Sequence, residues 1–148
     1  MAADRRANAV WEGTLAEGKG MINSVGSGAI GKLPVTWKAR TEEPGGKTSP
    51  EELIAAAHAS CFSMAFANEL NKAGWPAERI TVNAICHADK VEGSFTILSM
   101  DLEVSGRVPN INRQEFERVA EVARAGCPVS RALANNIEIR LKSIHLED

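Results

Sequence analysis

Hydrophobic and polar residues alternate in several short segments of the chain, the pattern of a β-strand with one buried face. The clearest segment covers residues 33–40, where the apolar positions are Leu33, Val35, Trp37 and Ala39. Two earlier segments, near residues 10–15 and 20–25, are further candidate strands. Alternation returns at residues 80–87, 98–104 and 137–141, so we expect six strands.

A long helix is predicted between the third and fourth of these strands. Ser49 suits its N-cap, and Pro50 suits the first helical position. Glu52 then stands where its carboxylate would close a capping box, which leaves Glu51 free for another task. The helix is expected to end at Ala73, before a glycine. Its middle is apolar on most sides and must be covered all round, so we expect a partner subunit.

A second helix is expected from Arg113 to Ala125. Asn112 and Glu115 would form its capping box, and Gly126 would end it. The resulting order of elements is β-β-β-α-β-β-α-β, with strands in hairpin-length groups. This order predicts an antiparallel α+β fold, and 148 residues without a linker or repeat predict a single domain over residues 1–148.

The charge balance argues against two classes of partner. Seventeen basic and nineteen acidic side chains give a net charge of −2, whereas a nucleic acid or an anionic membrane would favour a basic excess. The N-terminus has no apolar run typical of a secretory signal, so we expect a cytoplasmic protein. The longest apolar stretch, residues 53–67, is too short and too polar to cross a bilayer.

Three cysteines are candidates for chemistry. Cys61 lies in the middle of the long helix, where it is either a small buried residue or a thiol that needs a nearby cation. Cys127 lies between Gly126 and Pro128, at the expected start of a short helix whose N–H groups would favour a thiolate. It is either such a thiol or a simple cap. Cys86 shares a strand face with apolar residues, which indicates a core position.

The sequence offers residues for two other kinds of site. His58, Cys61, Cys86 and His87 carry metal-ligating groups, but adjacent residues of a strand point to opposite faces, which disfavours a zinc site. His58 and Cys61, three residues apart on a helix, could form a base and nucleophile pair for acyl transfer. No glycine-rich turn lies beside them to supply an oxyanion hole, and His58 would otherwise be a packing residue.

Two motifs together resemble the OsmC branch of the OsmC/Ohr family of thiol peroxidases. They are Ser49 to Ala65, SPEELIAAAHASCFSMA, and Ala125 to Ser130, AGCPVS. The resemblance covers nearly the whole chain and rests on two cysteine motifs at a family-like separation. It implies an α+β fold in which antiparallel sheets wrap long central helices in an intertwined homodimer. It also implies that no cofactor is needed.

The resemblance assigns roles to individual residues. Cys61 matches the peroxidatic cysteine and Cys127 the resolving cysteine. Glu51 matches the glutamate at the helix start, and Arg40 matches the arginine that precedes that helix. Alternation places Arg40 on the polar face of its strand, and Lys19 is an alternative cation.

The implied function is reduction of organic hydroperoxides to alcohols, through a sulfenic acid on Cys61 and an intramolecular disulfide with Cys127. A dithiol or a lipoylated protein would be the reductant. Phe62, Met64 and Phe66 are candidates for an apolar substrate pocket, or belong to the core. The alternative function is a non-catalytic thiol sensor or binding protein on the same scaffold.

Overall fold

The computed structural model describes residues 2–148 and divides into two compact units, one that ends at Leu53 and one that begins at Ile54. The assignment of residues 1–148 to a single domain therefore remains a prediction from the sequence. The fold is α+β, as expected, with six strands in two three-stranded sheets. No helix within residues 2–148 is long and apolar enough to cross a membrane.

The first unit contains an antiparallel sheet in the order β1-β2-β3. Its strands are β1, Ala7–Glu12; β2, Lys19–Val25; and β3, Gly31–Val35. A short helix, α1, follows at Trp37–Thr41. The long helix α2 then begins at Pro50 and runs to Lys72.

The alternating segment at residues 33–40 is not one strand, which corrects the prediction. β3 ends at Val35, and Thr36 caps α1 by accepting the N–H of Ala39 on its Oγ1 at 3.0 Å. Such a cap satisfies an N–H at the helix start, and this favours a turn of helix over two more strand residues. Arg40 therefore lies in the last turn of a helix, not on the polar face of a strand.

The start of α2 agrees with the prediction in part. Ser49 accepts the N–H of Glu52 on its Oγ at 3.1 Å, as an N-cap does. The carboxylate of Glu52 accepts the hydroxyl of Thr48 at 2.8 Å, a contact other than the predicted capping box. The helix ends one residue earlier than expected, and Gly74 follows with a φ of +91°, a conformation that glycine adopts readily.

The second unit contains the sheet β4-β5-β6. β4, Arg79–Val91, and β5, Ser94–Arg107, form a long antiparallel hairpin. Its turn places Glu92 and Gly93 at φ of 48° and 84°, as the tight turns of twisted hairpins require.

The third strand of this sheet, β6, Glu138–Leu146, pairs with β5 in parallel. The sheet is therefore mixed, whereas the sequence predicted antiparallel pairing throughout. Helices α3, Arg113–Gly126, and α4, Pro128–Leu133, connect the two strands. Such a helical crossover is what parallel neighbours require, because a tight turn can join only antiparallel strands.

A hydrophobic core joins α2, α3 and the sheet within the second unit. The ring of Phe66 lies 5.8 Å from that of Phe62 and 5.0 Å from that of Phe116, between centroids. All three side chains are fully buried, so the core fixes both helices against the sheet. The remaining large members are Leu70, Met100, Leu102, Val104, Val108, Ile111, Val119 and Ile139.

Candidate active site

Two cysteine sulfurs face each other in the second unit. The Sγ of Cys127 lies 3.3 Å from the Sγ of Cys61, and Cys127 donates its thiol hydrogen. Both cysteines are free, and the separation exceeds the length of a disulfide bond, about 2.05 Å. Cys61 is partly exposed, whereas Cys127 is fully buried. A small approach of the two sulfurs would therefore suffice for a bond between them.

The junction between α3 and α4 holds Cys127 in place. Cys127 is at once the C-cap of α3 and the N-cap of α4. Its N–H donates to the carbonyl of Ala123 at 2.8 Å, and its carbonyl accepts the N–H of Arg131 at 2.9 Å. Pro128 occupies the first position of α4, where its missing N–H costs nothing. Two helix ends thus fix one cysteine backbone.

The surroundings of Cys61 raise the pKa of its thiol. Burial is the largest cause, because the thiolate loses hydration, and the neighbouring Cys127 raises the pKa further. A hydrogen bond from the backbone N–H of Val129 acts in the opposite direction. The net direction is upward, so a thiolate at neutral pH calls for a positive charge beside Cys61.

The N–H groups at the start of α4 serve a different sulfur from the one predicted. The sequence suggested that they would favour a thiolate on Cys127, yet the Cys127 side chain makes no capping hydrogen bond. The N–H of Val129 bonds Cys61 instead. Pro128 in the sequence signalled a helix start with free N–H groups, but only the packing of α4 against α2 decides which thiol receives them.

An ion pair between Arg40 and Glu51 lies in the first unit. The Nε of Arg40 donates to both carboxylate oxygens of Glu51, at 3.0 and 3.1 Å, and an Nη donates to one of them at 2.7 Å. The Glu51 side chain is only 10% exposed. The guanidinium also lies 5.8 Å from the centre of the Trp37 ring. These contacts hold the guanidinium of Arg40 in a fixed position and orientation.

The alternative cation, Lys19, is placed differently. It is the first residue of β2 and is exposed. Together with Glu12 and Lys32 it lines a surface groove of the first unit. The predicted pairing of a cation with the carboxylate of Glu51 is therefore seen for Arg40.

The three residues proposed for a substrate pocket separate into two groups. Phe62 and Phe66 are fully buried in the core of the second unit. Met64 is 67% exposed and lines a cavity of about 430 Å³ together with Cys61. The cavity lies between α2 and the junction of α3 with α4. Its other lining residues are Ala65, Asn68, Glu69, Lys72, Ala123, Gly126 and Pro128.

His58 is fully buried and bonds to Ser130 rather than to Cys61. Its Nε2 lies 2.7 Å from the Oγ of Ser130, and its Nδ1 has no hydrogen-bond partner among the described residues. Burial lowers the pKa of His58 below its ordinary value of 6.5, so the ring is neutral at neutral pH. Neither ring nitrogen bonds the Cys61 thiol. The pairing with Ser130, 72 residues away, has no signature in the sequence.

The residues of the zinc hypothesis are engaged elsewhere. His87 bonds Asp101 through its Nε2 at 2.9 Å. The guanidinium of Arg140 bonds the same carboxylate, and this hydrogen bond is the main reason that the pKa of Asp101 lies below its usual range. Within residues 2–148 no group of three or more His, Cys, Asp or Glu side chains is placed to hold a metal ion.

Comparison with known proteins identifies the family. A family model described as OsmC-like protein matches residues 43–142. Peroxiredoxin OsmC of Escherichia coli is 39% identical over 145 residues, which cover 97% of this chain and 100% of that protein. Organic hydroperoxide resistance protein-like 2 of Staphylococcus epidermidis is 31% identical over 111 residues, 72% of this chain and 74% of that protein.

Solved structures of similar fold agree with this result. The organic hydroperoxide resistance protein OhrB of Bacillus subtilis superposes with a TM-score of 0.68 at 20% identity, covering 96% of this chain and 98% of that one. At this identity the likeness concerns the fold alone. The family match covers both cysteines and Glu51, and the E. coli relative covers nearly the whole chain. The chain therefore belongs to the OsmC-like protein family, and it is a cysteine-based peroxidase.

Proposed function

We propose that this enzyme reduces organic hydroperoxides to alcohols, with Cys61 as the peroxidatic cysteine and Cys127 as the resolving cysteine. The observation that carries the proposal is the separation of 3.3 Å between their sulfurs. Relatives named for resistance to organic hydroperoxides support the choice of substrate class. The cavity at Cys61 has apolar walls beside the sulfur, which suits a hydroperoxide with an apolar group.

The first step consumes one hydroperoxide. The Cys61 thiolate attacks the terminal oxygen, a sulfur–oxygen bond forms and the oxygen–oxygen bond breaks. The sulfur is oxidised by two electrons, and the peroxide is reduced to an alkoxide, which takes up a proton and leaves as the alcohol. Cys61 is then a sulfenic acid. The N–H of Val129 favours the negative charge on this sulfur before the attack.

The second step joins the two cysteines. The sulfur of Cys127 attacks that of Cys61, and the sulfenic oxygen leaves as water with the thiol proton of Cys127. A dithiol then reduces the disulfide by exchange and is itself oxidised to a disulfide. Because Cys127 is fully buried and Cys61 is partly exposed, the external thiol attacks the sulfur of Cys61. A small dithiol or a lipoyl group on a protein would suit this role.

The proposed activating cation is Arg40, held by Glu51. Burial and the neighbouring Cys127 raise the pKa of Cys61, so the reaction at neutral pH requires a positive charge that favours its thiolate. Arg40 is bound to a buried carboxylate by three hydrogen bonds and is thereby kept in one orientation. The same guanidinium would favour the charge on the departing alkoxide.

The enzyme is proposed to act as a homodimer. One side of α2 leaves the residues Ala56, Ser60, Met64 and Ala67 exposed, and three of these four are apolar. In the first unit all six residues of β1 are exposed, among them Val10 and Trp11. Apolar surface of this kind is typical of a face that a second copy covers.

A catalytic cycle through free thiols requires a reducing compartment, and we propose that the enzyme works in the cytoplasm.

The competing function is a thiol sensor without turnover. A sensor would react with about one hydroperoxide per chain and stop. A peroxidase supplied with a dithiol continues to consume hydroperoxide.

The test measures hydroperoxide consumption with and without a dithiol, followed by mapping of disulfides. We expect turnover only with the dithiol and a Cys61–Cys127 disulfide without it. Cys61→Ser should abolish the reaction, and Cys86→Ser, the matched control, should leave it unchanged. A single turnover by the wild type in excess dithiol would support the sensor, and a main disulfide through Cys86 would contradict the pairing.

A further inference from the structure

We propose that His58 and Ser130 form a buried hydrogen bond that positions Cys127 for disulfide formation with Cys61. The inference rests on the proposed function, since it concerns the second step of that cycle. His58 is one helical turn before Cys61 on α2, and Ser130 is three residues after Cys127, on α4. The helix α2 and the start of α4 are thus in contact at two neighbouring points. One contact is between the sulfurs of Cys61 and Cys127, and the other is the hydrogen bond between His58 and Ser130.

The position of α4 depends on few buried groups. This helix has only six residues, and Ser130 is the one buried residue among them, 2% exposed. Its Oγ lies 2.7 Å from the Nε2 of His58, which is fully buried. Because a short helix has little internal stability, its tertiary contacts determine where its first turn lies. Val129 and Leu133 pack against the core, and the bond of Ser130 to His58 adds a directional contact. That first turn contains both Cys127, as N-cap, and the Val129 N–H that bonds Cys61.

The chemistry of His58 fits positioning better than proton transfer. Its Nδ1 is buried without a partner among the described residues, and its Nε2 is used by Ser130. An apolar side chain would fill the same space without burying an unpaired nitrogen. The favourable contribution of His58 therefore lies in its single bond to Ser130.

Disulfide formation requires that Cys127 be held in a precise position relative to Cys61. The two sulfurs must approach from 3.3 Å to about 2.05 Å while the sulfenic oxygen departs along the axis of attack. A displacement of a reacting group by about 1 Å can slow a step about 100-fold. Loss of the link should therefore slow the second step, while the attack of Cys61 on hydroperoxide, which does not involve Cys127, continues.

The experiment follows one turnover of Ser130→Ala with a stoichiometric hydroperoxide. We expect the disulfide to form about 10- to 100-fold more slowly than in the wild type. The sulfenic acid on Cys61 should form with a smaller loss of rate, because this step depends on α4 only through the hydrogen bond from the Val129 N–H. The intermediate would be trapped by a sulfenic-acid reagent and counted by mass spectrometry. With excess hydroperoxide, sulfinic acid on Cys61 should accumulate. Ser63→Ala is the matched control, because the Ser63 hydroxyl bonds the carbonyl of Ser60 in its own helix.

A second pair of variants tests the other partner. In His58→Gln the amide group of glutamine can take the place of Nε2 and bond Ser130, so disulfide formation should stay fast. The side chain of His58→Asn is too short to reach Ser130, so this variant should behave as Ser130→Ala does. This pair keeps the test valid if Ser130→Ala does not fold.

The possible results separate the two proposals. If disulfide formation is as fast in Ser130→Ala and His58→Asn as in the wild type, or if both steps slow equally, the positioning role is wrong. If the wild type itself forms no Cys61–Cys127 disulfide, the proposed function fails before this question arises.

Discussion

The thiol of Cys61 is subject to opposing influences that act on a single sulfur. Burial and the neighbouring Cys127 raise its pKa, and the N–H of Val129 lowers it. At the residue scale, activity requires a positive charge that lowers the pKa by more than burial and Cys127 raise it. Arg40, held by the buried carboxylate of Glu51, is our answer. A bidentate guanidinium keeps its charge in one place, which an exposed lysine such as Lys19 does not.

The role of Arg40 can be tested by removing its charge. We expect Arg40→Gln to lower the rate of Cys61 alkylation at neutral pH about tenfold, with recovery at higher pH, because the thiolate fraction falls as the pKa rises. The measurement is the pH dependence of alkylation, with the Cys61 peptide quantified by mass spectrometry.

The matched control is Lys38→Gln, which removes a charge from the same helix, α1. Lys38 is exposed and lies 3.9 Å from Glu42, so its removal should leave the profile unchanged. An unchanged profile in a folded Arg40→Gln variant would remove Arg40 from the mechanism.

At the scale of elements, helix ends determine where the proposed catalytic residues lie. The end of α3 and the start of α4 meet at Cys127, and the start of α2 carries Glu51 in its first turn. The capping residues Ser49 and Asn112 were visible in the sequence, and the structure confirms that both accept N–H groups. The helix α1 was missed, because its apolar residues Trp37 and Ala39 also fit the period of a strand.

The cap of α2 is expected to contribute measurably to stability. Ser49→Ala removes the acceptor for the Glu52 N–H and should lower the free energy of unfolding by about 1 kcal/mol. Ser49→Asp retains an acceptor and should remain near the wild-type value. Chemical denaturation of both variants gives the comparison. If alanine and aspartate behave alike, Ser49 does not act as a cap.

At the scale of the whole molecule, the exposed apolar surface calls for a second copy of the chain. The exposed side of α2 carries Met64, at 67% exposure, and small residues on either side of it. A long helix with one such side uncovered would lower the solubility of a single chain. The proposed homodimer would cover this surface.

A charge introduced on that side tests the dimer. We expect Ala67→Glu to shift the molar mass in solution from two chains toward one, because a buried carboxylate opposes association. Val122→Glu, at an exposed apolar position of α3, should leave the mass unchanged. Light scattering during gel filtration measures both. A wild-type mass of one chain would contradict the homodimer directly.

The sequence by itself predicted most of the elements and singled out Cys61 and Cys127 as the proposed reactive residues. Local periodicity located a part of each of the six strands but not their ends, and capping marked α2 and α3 closely, because these signals depend on neighbours along the chain. The two cysteine motifs pointed to the family that the comparisons show.

Only the tertiary structure decided which groups meet. The parallel pairing of β5 with β6 and the bond of His58 to Ser130 join residues far apart in sequence. The contact of Cys61 with Cys127 was expected from the family resemblance alone. No local pattern encodes such a pairing, because it depends on how the helices pack over the sheet. The same packing directs the Val129 N–H to Cys61 rather than to Cys127.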